Sequence, residues 1–485
     1  MSWLLPVCPV LGIIAMAMSA THLLPIAVSL AYDDGVAAQF AMSMGLNFAV
    51  GFMLWALTRT FKRELILREG ILLVVIVWSG GALFASVPLL LAISGLSFTD
   101  AYFEAISGLT ATGATVLTNL DLLPASVNVW RAELQWLGGM GVIVLVVAIL
   151  PMLGVGGRQI SKSEIPGPMK ESALTPRLTQ TAKGLWAVYV LLTMACLLSY
   201  HAAGMSWLDA LVHSFTTLSL GGFSSHDASL GYFDSALIET IAILFMLAAG
   251  INFATHFLVW RERSLDPYRR DSEARYFIAA VGVSVSGIAA FLWWSGVYPD
   301  VPTALRYAAF NIISVGTTTG YSTADYDAWP VFAPLWVLFL GTFLSCSGSA
   351  GGGIKMIRAI ILYRQVYREF NKLAHPSAMV PLKVSGQVVA NQIVFAVLAF
   401  FFVWIAILVS MTLILGWSGL DAMTAFSAVV ASLNNIGPGL HQVGPAKDFA
   451  VLTDFQTWVC AITMLLGRLE LFTVLLVFTP TFWRK

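Results

Sequence analysis

Apolar runs long enough to cross a bilayer, about 20 residues each, recur along the whole chain. The first two span residues 3–32 and 36–57, and the basic residues Arg59, Lys62, Arg63 and Arg68 follow them. From there a three-part pattern repeats: a long apolar helix, a short half-apolar segment that ends in glycine, and a second long apolar helix. In the first unit these parts are 71–93, 100–109 and 134–153; in the second, 185–198, 208–218 and 238–260. In the third they are 276–294, 308–317 and 331–344 with a continuation; in the fourth, 388–415, 422–433 and 455–478. The predicted class is an all-α integral membrane protein. Its expected domains are two N-terminal helices (1–65) and four pseudo-symmetric helix–pore helix–helix repeats (66–158, 159–265, 266–374 and 375–485) around one ion pore.

The four short segments end in Thr112-Gly113, Leu220-Gly221-Gly222, Thr318-Thr319-Gly320 and Asn435-Ile436-Gly437. Gly113, Gly222, Gly320 and Gly437 follow one another at 109, 98 and 117 residues, a near-constant period. Phe103 and Phe310 each lie ten residues before their glycine, and Ser107 and Ser314 six before it. Asp100 and Asp209 lie thirteen before theirs, where a carboxylate can cap a helix N-terminus. The third loop, Thr-Thr-Gly-Tyr-Ser, differs at two of five positions from the Thr-Val-Gly-Tyr-Gly of potassium-channel filters. The physics asks for this residue set. A filter turns successive backbone carbonyls to one axis, and glycine takes the backbone angles this needs. Only the third loop holds Thr-Gly-Tyr, so the four loops are unequal.

Composition agrees with a membrane chain: 58% of the 485 residues are hydrophobic and 11% charged, less than half of the roughly 25% charged in soluble proteins. The net charge of zero says nothing of partners. Its distribution does. With the N-terminus inside, ten spans place 22 of the 26 Lys and Arg on inner connections, and Arg131, Arg306 and Lys447 fall outside. Both termini are then cytoplasmic and each short segment enters from outside. Cys8, Cys196, Cys346 and Cys460 lie far apart and suggest neither a disulfide framework nor a metal site. The first apolar run reads as a retained helix rather than a cleaved signal. The longest inner connection, 156–182, is too short to bury a core, so a nucleotide-sensing domain is expected from another chain.

Two further features stand out. Ser345-Cys346-Ser347-Gly348-Ser349-Ala350-Gly351-Gly352-Gly353 interrupts the second helix of the third unit. So many small residues hold a helix poorly, since each glycine costs about 1 kcal/mol relative to alanine. Gly353-Ile354-Lys355 lacks the Gly-Lys-Ser/Thr of a phosphate loop. Close helix packing is one reading of this stretch, and a flexible intramembrane gating loop is the other. Arg468 falls near the middle of 455–478 with Glu470 two residues on. A charge there needs water or a partner. It reads either as an internal ion pair or as a cation on the glycine loop. Lys355 raises the same choice, or reaches the inner surface. Glu104 and His213 read as structural partners around the filter.

The glycine-ended loops, the interruption ending in Gly351-Gly352-Gly353-Ile354-Lys355 and Gly467-Arg468-Leu469-Glu470 resemble the Trk/Ktr/HKT superfamily of potassium transporters over essentially the whole chain. The two extra N-terminal spans are similar to one branch of it. The resemblance implies a non-enzymatic potassium-uptake protein of the bacterial inner membrane, with K+ as the transported ion and no organic cofactor. It implies a homodimer with one pore per protomer, a cytoplasmic ring of TrkA-like nucleotide-binding regulatory subunits, and no nucleic-acid partner. By motif, the residues quoted from the four loops would form the filter and hold potassium, and Ser345, Cys346, Gly348, Gly351, Gly352, Gly353 and Arg468 would gate. Sodium-favouring plant members have serine where this chain has Gly113, which favours potassium here. The rival classes are a proton- or sodium-coupled symporter, which often shows inverted repeats where these units run one way, and a non-transporting scaffold.

Overall fold

The computed structural model describes residues 7–61, 66–144 and 174–484. Helices α1 (Cys8–Thr21) and α2 (Leu23–Tyr32) run on as one long apolar element, and α3 (Ala37–Thr58) returns beside it. Gly12 and Gly51 bring α1 and α3 together: a β-carbon on Gly12 would lie 2.7 Å from the Gly51 carbonyl oxygen. Small residues allow such approach where apolar lipid offers no hydrophobic drive to pair helices. Buried His22 meets Ser43 and Asn47 across the pair, and Asn47 donates to the Phe84 carbonyl of the first repeat.

Each repeat then has the predicted order. The first holds α4 (Leu67–Ala92), α5 (Phe98–Leu109) and α6 (Ala125–Val144). The second holds α7 (Leu174–Ala202), α8 (Trp207–Leu218), α9 (Ala236–Gly250) and α10 (Phe253–Glu262), with α11 (Asp266–Arg270) as connector. The third holds α12 (Ser272–Trp294), α13 (Val301–Gly316), α14 (Phe332–Phe343) and α15 (Met356–Ala374). A two-stranded hairpin, Lys383–Val384 with Gln387–Val388, leads to the fourth. That repeat holds α16 (Asn391–Trp417), α17 (Ala422–Leu433), α18 (Asp454–Arg468) and α19 (Leu471–Val477), closed by α20 (Pro480–Trp483).

The four short helices, α5, α8, α13 and α17, start alike. Ser97 and Ser206 accept the N–H of Asp100 and Asp209, while Asp300 and Asp421 cap directly. Asp100 and Asp209 therefore stand three residues inside, on the serine hydroxyls, rather than at the cap. All four helices end four residues before their glycine. α13 begins one turn earlier than the others. Each second helix packs on its own short helix and on that of the next repeat: α6 on α8, α9 on α13, α14 on α17, and α18 back on α5. The ring closes on itself.

Three corrections follow. The expected span 455–478 is not one helix: α18 and α19 bend by 115° at Leu469-Glu470. The expected span 238–260 breaks likewise, by 93° between α9 and α10. Arg131, expected in an outer connection, lies within the helix α6 and is buried there. Among the described residues six helices are long and apolar enough to cross a membrane, and the two bent pairs bring this to eight. Of the ten expected spans, 331–344 is too short alone. The end of 134–153 lies outside the described residues, as do Lys62, Arg63 and most of 156–182.

Candidate functional site: four loops and a strap

The chain turns identically after each short helix. The N–H of Thr112, Gly221, Thr319 and Ile436, each one before its glycine, donates five residues back, to Ser107, Thr216, Ser314 and Ala431. Two residues before the glycine the backbone is left-handed, with φ of 49° at Ala111, 53° at Leu220, 65° at Thr318 and 53° at Asn435. The glycines follow at 84°, 76°, 87° and 100°. A left-handed non-glycine residue costs on the order of 1–3 kcal/mol and persists only where its surroundings over-determine it. Four in register mark one deliberate backbone design.

The loops touch in a ring. A β-carbon on Gly113 would lie 2.0 Å from the Gly221 carbonyl oxygen, and one on Gly222 1.9 Å from that of Thr319. One on Gly320 would lie 2.1 Å from the Ile436 oxygen, and one on Gly437 2.8 Å from that of Thr112. Each glycine thus faces the carbonyl just before the next repeat's glycine. The C-terminal, partially negative ends of four helices converge on this ring, which suits a cation. The hydroxyls near it are engaged: Thr110 with Thr112 at 2.7 Å, Thr317 with Thr319 at 2.8 Å, and Asn435 Nδ2 with Thr112 Oγ1 at 2.9 Å.

Side chains behind the ring hold it. Ser107 donates to the Ala114 carbonyl at 2.6 Å and Ser314 to that of Tyr321 at 2.7 Å, which accounts for the matched serines. The Tyr321 hydroxyl reaches into the second repeat, to Thr216, Thr217 and the His213 carbonyl. His213 bridges the Asp209 carbonyl and Ser224 Oγ. Buried Glu104 accepts from Arg131 Nε at 2.7 Å, from Thr115 and from the Val116 N–H. Arg131 also donates to the Ser224 carbonyl at 3.1 Å and lies over the Phe223 ring.

Residues 344–355 form a strap between α14 and α15, beside the helix-C-terminal side of the ring. Ser345 Oγ donates to the Thr317 carbonyl, and the Gly352 N–H donates to Thr318 Oγ1 at 2.8 Å. A β-carbon on Gly352 would lie 2.0 Å from the Asn434 oxygen. Gly348 and Gly353 are left-handed, and the Gly348 carbonyl accepts from the Phe253 N–H. Cys346 is buried, its N–H donating to the Gly250 carbonyl. Arg468 reaches the strap from α18, donating to the Ala350 carbonyl at 2.9 Å and to the Gly138 carbonyl at 3.2 Å. Glu470 instead accepts from Arg358 at 2.5 Å, because the break after Arg468 turns the two side chains to different elements. Lys355, half-buried, donates to the Gly351 carbonyl.

The model of the cation transport protein family TrkH matches residues 37–485. The chain belongs to this family. It is a family of transporters, not enzymes. The chain is 45% identical over 98% of both lengths to the Trk system potassium uptake protein TrkH of Halomonas elongata. It is 43% identical, again over 98% of each, to the protein of the same name from Escherichia coli K12. The crystal structure of the potassium transporter TrkH from Vibrio parahaemolyticus superposes with a TM-score of 0.92 at 40% identity, covering 99% of both chains.

For this TrkH-family chain the sequence-derived candidates fall in two places. Thr112, Gly113, Leu220, Gly221, Gly222, Thr318, Thr319, Gly320, Asn435, Ile436 and Gly437 make up the ring, and Ser345, Cys346, Gly348, Gly351, Gly352, Gly353 and Arg468 the strap and its contact. Two residues went unforeseen. Glu273, in the first turn of α12, accepts the N–H of Ser347 at 2.6 Å and of Ile357 at 3.0 Å, gripping both ends of the strap. Gln135 of α6 bonds the second loop. A buried acid in a membrane helix is a signal that could have found Glu273. A single glutamine carries no such signal.

Proposed function

We propose that this chain carries potassium into the cell through one pore, with the ring of four loops as the filter and the strap as its gate. The observation that carries the reading is the closed ring, in which each glycine abuts the neighbouring repeat's carbonyl. Carbonyls of the four loops replace the hydration shell of a monovalent cation. The four helix ends add favourable potential. The unequal loops make one main site rather than a symmetric ladder. Four repeats running in one direction fit a pore better than the inverted repeats common in coupled symporters.

The short helices enter from outside and both termini lie in the cytoplasm of a bacterial inner membrane, an orientation supported by the distribution of Lys and Arg. The chain works as a homodimer, each protomer with its pore. A separate cytoplasmic ring of nucleotide-binding, TrkA-like subunits docks on the basic inner surface around Arg261–Arg275 and Arg364–Lys383; the exposed Tyr363, Tyr367 and Phe370 on α15 support an inner contact face.

The test is reversal potential in opposed potassium and sodium gradients, with purified protein in liposomes. Gly113→Ser puts a side chain where the Gly221 oxygen stands, on a backbone at φ 84°. It should lower the potassium-to-sodium permeability ratio. An unchanged ratio in a folded, conducting variant removes Gly113 from the filter.

A further inference from the structure

Gln135 stands in mid-α6 with its side chain fully buried. Its Nε2 donates to the Gly221 carbonyl at 2.7 Å, and its Oε1 accepts the Phe223 N–H at 3.1 Å. One amide thus brackets the second loop on both sides of Gly222. The fit is close: a β-carbon on Gly221 would lie 2.4 Å from Gln135 Cδ. Gly221 has no left-handed backbone to explain its glycine, so the glutamine is the reason for it. The Gly221 oxygen is also the ring oxygen that faces Gly113. Among the described residues, the equivalent carbonyls of Thr112, Thr319 and Ile436 receive no side-chain hydrogen bond.

We infer that Gln135 is a positioning residue that sets ion discrimination: its hydrogen bond pins the Gly221 carbonyl and weakens it as an ion ligand relative to the other three. Selectivity depends on the number, field strength and freedom of the coordinating carbonyls. A carbonyl already accepting a hydrogen bond has one lone pair engaged and a fixed direction. It cannot close around an ion smaller than potassium. Released, it can move inward and stabilise sodium. The inference rests on the reading of the ring as a filter.

Three variants of the full chain, reconstituted in liposomes, test it by reversal potential in potassium and sodium gradients. Gln135→Met keeps the volume and removes both hydrogen bonds. Gly221→Ala pushes the amide away from the other side. Gly113→Ser reports on the filter reading itself. Gln135→Met should lower the permeability ratio roughly two- to tenfold, the range expected for loss of one ordinary hydrogen bond. Gly221→Ala should shift it in the same sense. A side chain that merely supports α6 would change yield or stability and leave the ratio alone. If Gln135→Met conducts with the native ratio while Gly113→Ser does not, the inference fails and the filter reading stands. If neither variant shifts the ratio, both fall. If Gln135→Met does not fold, Gly221→Ala decides: a native ratio there overturns the inference.

Discussion

Arg468 and Ala350 lie 118 residues apart in the chain, and a 2.9 Å hydrogen bond from the guanidinium to the carbonyl joins them. The donor ends α18 of the fourth repeat, and the acceptor sits in the strap of the third. Both are buried. Among the described residues the hydrogen-bond partners of Arg468 are carbonyls and not carboxylates. On the proposed reading the charge remains a barrier to cations while it latches the strap. A charge-assisted bond contributes about 1.5–3 kcal/mol, small enough to be broken by a partner. Arg468→Ala removes barrier and latch together and should raise open probability in bilayers. Arg468→Lys keeps the charge but not both bonds, and should fall between. Selectivity should stay native in each. A lower open probability for Arg468→Ala in folded protein would place the gate elsewhere.

Glu273 offers a second handle on the strap. One carboxylate oxygen accepts the N–H of both Ser347 and Ile357. Glu273→Ala leaves two buried amides without that acceptor, at about 1–3 kcal/mol each. The strap should loosen, exposing its buried Cys346 to thiol reagents. Glu273→Gln retains an acceptor and should react slowly, like the native chain. The rate of Cys346 modification measures this, with Cys346→Ser as the blank. Equal rates in all forms would mean the carboxylate does not hold the strap.

Behind the first loop, Glu104 and Arg131 form a buried pair at 2.7 Å. Removing one member of such a pair typically costs about 3–5 kcal/mol, because the other is left buried and charged. Arg131→Met should markedly lower the thermal unfolding midpoint in detergent. The double change Arg131→Met with Glu104→Gln should recover part of the loss. A single variant as stable as the native chain would show that water or another group satisfies Glu104.

His226 lies just after the second of the four loops, stacked on Tyr232, and bridges Asp121 and Asp209. Burial alone would lower its pKa, but hydrogen bonds to Asp209 and Asp121 outweigh this and raise it. For Asp121, burial raises the pKa and the bonds from His226 and the Asp227 N–H outweigh it, so the net shift is down. The raised imidazole value means that the protonated bridge stabilises the fold fully below about pH 6.5 and ceases to as pH rises through the higher folded value. The lowered carboxylate value means that Asp121's share is present above about pH 3.9 and is lost as pH falls below it. The native midpoint should therefore decline as pH rises above about 6.5, and His226→Gln should flatten the decline. Parallel pH profiles for the two proteins would remove His226 from the linkage.

Much of this molecule is legible along the chain because its constraints are local. Bilayer thickness dictates the apolar runs, and a left-handed turn at a helix end calls for Gly113, Gly222, Gly320 and Gly437 at a repeating distance. Ser345–Gly353 shows itself as a stretch too rich in glycine for a helix. Other features have no local signature. Ala111, Leu220, Thr318 and Asn435 share one left-handed conformation with four different side chains, since the ring of neighbours and not the residue imposes it. The breaks at Ile251-Asn252 and Leu469-Glu470 fall in runs that read as continuous spans. Which carbonyl Arg468 meets and why Gly221 must be glycine depend on contacts between repeats, 118 and 86 residues apart in the chain; which acid grips the strap depends on contacts 74 and 84 residues apart within the third. Periodicity reports what each segment needs from its surroundings. Only the closed packing of the four repeats decides which atoms supply it.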